Sequence, residues 1–202
     1  MSATSNPPGL RERKKARTRR AIVAATLELT LDRGFEAATI PLIAERADVA
    51  PRTVSLYFPS KDDIVLQQVD QDFGRLISTL ASGEGDLVTR LREWLFADPP
   101  EGEHDDELER MRARALIADP YLRSRERLLL EAAEGAIASA VAGDLGETVD
   151  GLGPRAFAAA TLGVLLTIRA QWAAQGEVER VEQELERGLA FLRAGLDALR
   201  RA

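Results

Sequence analysis

One short stretch, PRTVSLYFPSK from Pro51 to Lys61, gathers side chains whose types suit the base edges and phosphates of duplex DNA. Arg52 can bond a guanine edge, and Thr53 and Ser55 can bond several bases or phosphates. Leu56 points outward with them. Tyr57 and Lys61 flank the base-reading positions and can hold phosphates, which fixes register without reading sequence. This chemistry requires the polar residues to share one helix face while the other is anchored. Val54 and Phe58, spaced i, i+4, supply the anchor. Pro51 can start the helix at its first position, where a missing N–H costs nothing, and Pro59 stops it.

A second element must hold that helix in place. Thr39 to Ala47 reads as a short helix with Thr39 as its N-cap, its hydroxyl offered to the first-turn amides. Ile40, Ile43, Ala44 and Ala47 give it an apolar stripe of helical period. Asp48-Val49-Ala50 leaves room only for a tight turn, so the pair predicts a helix-turn-helix. The competing reading is a solvated face on an ordinary small helix. A longer helix, Leu10 to Arg33, precedes the pair, and Arg11, Arg13, Lys14, Lys15, Arg17, Arg19 and Arg20 crowd its start. Cations there oppose the helix dipole, so phosphate attraction explains them better than stability does. The first of them can form an arm reaching a minor groove. Ile22, Ala25, Leu29 and Phe35 supply the core of this head, and Gly34 is expected to close the helix as a left-handed cap.

The series Gly34-Phe35-Glu36, Ala38-Thr39-Ile40, Ile43-Ala44, Ala47-Asp48-Val49 and Leu56-Tyr57-Phe58-Pro59-Ser60-Lys61 resembles the N-terminal DNA-binding domain of the TetR family of bacterial transcriptional repressors. The resemblance covers about residues 15–65, and its YFPSK end is the most specific part. It implies that Pro51, Arg52, Thr53, Ser55 and Tyr57 approach DNA and that Thr39 and Lys61 touch its backbone. Three positions depart from the family pattern: Pro41, where a polar side chain can reach a base; Thr30, usually apolar or aromatic; and Ala50, usually a Ser or Thr N-cap. The last two are expected to weaken local stability by about 1 kcal/mol each.

Composition narrows the alternatives. The 202 residues are 45% hydrophobic and 30% charged, with no cysteine and a single histidine. Disulfides and thiolate metal sites are therefore excluded, and a reducing, cytoplasmic setting fits. A nucleophile–histidine pair would need His104, which sits among carboxylates in the acidic stretch DPPEGEHDD (98–106). Neither GxxxxGK[ST] nor a strand-borne GxGxxG occurs, so an enzyme is not expected and no cofactor is implied. No apolar run is expected to reach the length of about eighteen residues needed to span a bilayer, so no membrane partner is expected. The net charge of −6 divides unevenly: residues 1–60 carry ten Lys/Arg against six Asp/Glu, while 61–202 carry seventeen against twenty-seven. A basic head on an acidic body is the asymmetry expected when one end meets phosphate.

The fold expected is all-α: a disordered tail at 1–9, a helix-turn-helix head at 10–60, and a helical body at 61–202 for ligand binding and dimerisation. Ser60 with Asp63 forms a capping-box variant for a helix running to about Leu80. Helices then follow at Leu87–Phe96, Leu108–Ala118 and Tyr121–Val141. The run opened by Pro154 is apolar almost all round and must be covered on every side. With a last helix from Glu177 to Arg200 it can form half of a four-helix homodimer interface, as the TetR resemblance also implies. That resemblance further implies a small-molecule effector among the body helices. Phe73, Trp94, Phe96, Met111, Tyr121, Phe157 and Trp172 are candidates for its pocket, each with a core role as the alternative. Arg169 can meet an anionic head group or form an ion pair at the dimer interface, the second being favoured. The N-terminal LRERKKARTR and the Leu/Ala/Arg-rich body are similar to actinobacterial regulators, some of which sense acyl-CoA. The reading is a homodimeric repressor released from a pseudo-palindromic DNA operator by its effector. The alternative is a helical protein–protein interaction module.

Overall fold

The computed structural model describes residues 9–82, 84–97, 105–175 and 178–201, with 178–180 as backbone only. The tail at 1–8, His104 with most of its acidic stretch, and the Val178 side chain lie outside the described residues. Nine α-helices and no strand occur among the described residues: α1 (Leu10–Arg33), α2 (Ile40–Arg46), α3 (Pro51–Tyr57), α4 (Lys61–Ser82), α5 (Leu87–Leu95), α6 (Asp106–Ala118), α7 (Pro120–Leu145), α8 (Leu152–Gln175) and α9 (Val178–Leu199). The fold is all-α, as the periodicity predicts.

The head forms because three short apolar stripes converge. Ile22 and Leu27 of α1, Ile43 of α2 and Val54 of α3 are fully buried together, and Phe35 and Phe58 close the cluster. The capping box at α4 is present: Ser60 N–H donates to Asp63 Oδ2 at 2.9 Å and Asp63 N–H to Ser60 Oγ at 3.2 Å. Two caps differ from expectation. Thr39 stands at the N-cap of α2 but makes no side-chain capping bond. Gly34 has φ 84° and ψ 157°, which is not the left-handed helical cap but a region open to glycine alone. The departure Thr30 is buried with its hydroxyl satisfied, donating to Thr26 O at 2.8 Å.

The head core does not stop at α4. Leu108, Ala115 and Leu116 of α6 and Leu122 of α7 belong to the same cluster. The second core gathers Leu76 and Leu80 of α4, Leu87 and Leu91 of α5, Ile137 and Val141 of α7, Phe157 and Leu162 of α8, and Leu192 and Leu196 of α9. Helix boundaries shift modestly from those the stripes predict. Asp105 caps α6 two residues early through Leu108 N–H at 3.2 Å, and α7 continues to a left-handed Gly146. Helices α8 and α9 cross closely at Gly188, where a Cβ would stand 2.6 Å from Val164 Cγ1.

One expectation is corrected outright. Helix α8 is long and apolar enough by length and composition to cross a membrane, with an 18-residue window of mean hydropathy 1.3, of which 28% is buried. Scattered Ala, Gly and Thr hide the run from a search for unbroken large apolar residues. Its neighbours are α6, α7 and α9, and Arg169 within it forms an ion pair with Glu126 of α7.

Helix α9 is fastened to the body through Asp86. This carboxylate caps α5, accepting from Thr89 N–H at 3.1 Å and Thr89 Oγ1 at 3.0 Å, and it pairs with Arg193 and with Arg200 at 3.3 Å. Burial raises its pKa, but the bonds from Arg193 and Thr89 outweigh that and hold it down at about 2, against 3.8 normally. A depressed carboxylate stabilises the fold above its unfolded pKa and loses that contribution as pH falls through the folded one. Asp86→Asn keeps the cap and removes the charge. The melting temperature at neutral pH should fall by roughly 2–4 °C, for an ion-pair loss of about 1 kcal/mol. The gap to wild type, followed by thermal melts, should narrow as pH drops from 3.8 towards 2.

Candidate functional site

The outer face of α3 is built by what its inner face buries. With Val54 at 0% and Phe58 at 3% exposure, Pro51, Arg52, Ser55 and Leu56 must project into solvent, and Thr53 and Tyr57 lie at the margins. Leu56 is 81% exposed, an unfavourable place for a leucine in water but a suitable contact for a thymine methyl group. The turn before α3 is closed by Val49 N–H donating to Ala44 O at 2.9 Å, with Asp48 at φ 54°. Aspartate is among the few non-glycine residues that tolerate that geometry. Ala50 provides no side-chain cap to α3; Pro51 has no N–H and Thr53 N–H donates to Ala50 O at 2.8 Å, which leaves the Arg52 N–H for water or a phosphate. Pro41 lies exposed in the first turn of α2, and Thr39 is exposed just before it.

An open groove of about 910 Å³ runs between the start of α1 and α3, lined by Arg11, Lys14, Lys15, Arg19, Leu56 and Tyr57 among others. It joins the basic arm to the recognition face in one surface, and Arg17 is exposed on the same helix. The cations of α1 divide into two groups. Arg19 lies over the Phe58 ring at 4.4 Å and bonds Gln67, while Arg20 pairs with Asp105. Both brace the head, a role that residue type and spacing alone do not separate from phosphate attraction. Lys61 also braces the fold. Its Nζ donates to Phe35 O at 2.7 Å and sits 4.2 Å from the Phe35 ring. It thereby fastens the α1–α2 connection to α4.

In the body, a cavity of about 260 Å³ opens between α4, α5, α6, α7, α8 and α9. Of the candidates, Phe73, Trp94, Arg169 and Trp172 line it. The other four candidates do not. Phe96 is 40% exposed beneath the Arg92 guanidinium, Met111 packs against the head core, and Phe157 is buried in the body core against Gly195. Tyr121 stacks on Phe35 at 5.5 Å and donates its hydroxyl to Asp62 at 2.8 Å, a bond that pushes its pKa above the tyrosine norm. It is a contact between head and body.

Arg169 forms its ion pair with Glu126 of the same chain, in the cavity wall rather than across a subunit interface. Asp72, Glu109 and Arg112 also line the cavity and escape sequence reasoning, because charged residues on amphipathic helices read as solvated. Burial pushes the Asp72 carboxyl up, against the stabilising bonds of Gln68 and Arg75.

A head of this form and a hollow helical body define a helix-turn-helix regulator with a ligand-sized cavity. Residues 22–67 match the family of bacterial regulatory proteins described as the tetR family, and residues 86–197 match its MftR C-terminal domain. The chain belongs to the TetR family of DNA-binding regulators and is not an enzyme. It is 39% identical over 88 residues to the transcriptional regulator TcmR of Streptomyces glaucescens, covering 42% of this chain and 39% of the relative. It is 36% identical over 77 residues to the transcriptional repressor KstR of Rhodococcus jostii, covering 38% and 36%. The matched segment thus spans under half of each relative. In fold it resembles FadR of Bacillus subtilis, solved with stearoyl-CoA, at 18% identity and a TM-score of 0.55 over 89% of this chain and 96% of that one.

Two substitutions separate reading from holding. Arg52→Ala should relax base preference at one position per half-site by about 1–3 kcal/mol, measured as a flattened position in binding to single-base variants of the operator. Lys61→Met should weaken all sequences alike, leave relative preferences intact, and lower the melting temperature by a few degrees through loss of the bonds to Phe35 O and Glu36 O.

Proposed function

We propose that two copies of this chain associate through α8 and α9 and place their two α3 helices in successive major grooves of an inverted-repeat operator. The observation that carries this reading is the outer face of α3: Arg52, Ser55 and Leu56 stand free because Val54 and Phe58 are buried behind them. Arg52, Thr53, Ser55 and Leu56 read bases; Arg17, Thr39, Tyr57 and Lys61 hold the backbone, with Pro51 starting the helix against it. Half-sites about 34 Å apart suit such a dimer. The protein works in the cytoplasm, where its operator is.

The pairing of copies has a suitable surface. Leu152, Ala156, Ala159, Gly163, Thr167 and Ala170 are exposed along α8, small residues for the most part that permit close helix approach, and α9 adjoins with Phe191 62% exposed. Repression is the sign favoured by the relatives named as repressors. An effector in the body cavity lifts it, because α6 supplies both the cavity residues Glu109 and Arg112 and the head contacts Leu108 and Ala115. An acyl-CoA, which the sequence resemblance implied, fits less well: 260 Å³ is at the small end of ligand cavities.

Selection of bound fragments from a random DNA pool by the purified chain tests the reading. An enriched inverted repeat whose affinity falls steeply with salt supports it; a protein that enriches nothing at low salt, with or without added extracts of small molecules, sinks it. The variant Gly163→Glu introduces a charge where a side chain meets nothing within 4 Å in the single chain. It should retain helicity while light scattering drops from twice 22.1 kDa to 22.1 kDa. An unchanged dimer mass would place the interface elsewhere.

A further inference from the structure

Every residue of α2 and α3 lies between Phe35 and Asp62 in the chain, and those two residues meet the body at one place. Lys61 first joins the two ends of this segment to each other. Its Nζ donates to Phe35 O at 2.7 Å and to Glu36 O at 3.3 Å, so the entry to α2 is stapled to the exit from α3. The start of α7 then docks on the staple. The Tyr121 ring stacks on Phe35 with centroids 5.5 Å apart and planes 13° from parallel, and its hydroxyl donates to Asp62 Oδ2 at 2.8 Å. Arg125, one turn on, reaches the same oxygen at 3.2 Å. One body helix thus grips both ends of the helix-turn-helix from adjacent turns.

The polar part of this junction does what apolar burial does not. Leu108, Ala115, Leu116 and Leu122 hold the head against the body, but burial is non-directional and sets closeness rather than angle. Hydrogen bonds weaken steeply as donor and acceptor lose alignment, so they fix an angle. Tyr121 is 49% exposed, more than a core role would leave it, and its two contacts both go to the frame of the helix-turn-helix. The main neighbours of α2 and α3 are each other and α1. The junction at Phe35 and Asp62 is therefore where α7 sets their direction.

We propose that Tyr121 and Arg125 are positioning residues for operator recognition: by fixing the angle of each head on its body through Asp62, they set the half-site spacing that the dimer accepts. This rests on the reading of the chain as a dimer on an inverted repeat. Neither residue touches DNA in this role. One base pair added to the spacer moves a half-site by about 3.4 Å and turns it by about 35° around the duplex. A head follows that displacement only by breaking the latch. The penalty on a wrong spacing is the strength of the bonds that break, about tenfold for one hydrogen bond to a charged group.

The test uses the inverted repeat that the full-length wild-type chain enriches from a random pool, together with versions whose spacer is one base pair shorter or longer. Wild type should bind the shifted operators at least about tenfold more weakly. The double variant Tyr121→Phe, Arg125→Gln keeps a ring on Phe35 and removes both donors to Asp62. It should lose that discrimination while keeping its base preference within each half-site and melting cooperatively, whereas a role in stability alone would weaken all three spacings equally. Arg127→Gln makes the same charge change on the same helix, where Arg127 pairs only with Glu131 of α7 at 3.5 Å, and should discriminate as wild type does. A wild type indifferent to spacing, or a double variant as discriminating as wild type, overturns the latch and leaves the operator reading standing. A salt slope lower in the double variant than in Arg127→Gln makes Arg125 a phosphate contact and overturns its positioning role. If wild type enriches no inverted repeat, the operator reading falls and the latch with it.

Discussion

The packing of α6 between α1 and the body is the constraint on which the other features depend. A helix of thirteen residues cannot cover itself, and α6 has apolar or buried positions on more than one side. Leu108 and Ala115 complete the head core, while Arg112 and Ala113 complete the cavity wall, and Leu116 serves both. A change in cavity shape therefore meets the head through contacts of van der Waals stiffness rather than through a flexible linker. The ends of α6 strengthen that link. Asp105 caps its start and pairs with Arg20 of α1. Asp119, just past its end, caps α7 through Oδ1 and accepts the Phe35 N–H through Oδ2 at 2.9 Å.

The same segment ties the head to the body. Phe35, the residue after the glycine that closes α1, is approached by the Lys61 ammonium, the Tyr121 ring and the Asp119 carboxylate. Three elements distant in sequence meet at one residue of the α1–α2 connection. The orientation of α2 and α3, and so of the DNA-facing side chains, follows from that junction. Charge here acts by position more than by sum: arginines on α1 that look equivalent in the sequence divide into those bracing the fold and those left to the groove.

The helix-turn-helix is legible in the sequence because its constraints are local. Two prolines, a three-residue turn and an i, i+4 anchor at Val54 and Phe58 admit few arrangements. The helices of the body are legible for the same reason, since their stripes are periodic. The cavity is only half legible. Phe73, Trp94 and Trp172 stand out as large apolar residues, but Phe96, Met111, Tyr121 and Phe157 have the same character and lie elsewhere. Which large residue faces a hollow and which a neighbour depends on helix rotation and crossing, set by residues far apart in the chain. Buried charges such as Arg112 and Glu126 carry no local signal at all, because an amphipathic helix places a charge at the same spacing whether a partner or water receives it. The hydropathy of α8 is easy to underestimate for a related reason: small residues contribute to it without looking like a core.

Gly188 sets a limit on how this body can change. With Val164 and Ile168 seated against it, α8 and α9 are keyed at that point and resist sliding past each other. The two behave as a single plank. Variation in the cavity can then accumulate on α4, α5 and α6 without disturbing the plank, so the shape of the hollow can change while the packing of α8 on α9 is kept. A side chain gained at position 188 would end that freedom at once, because it would force the two helices apart.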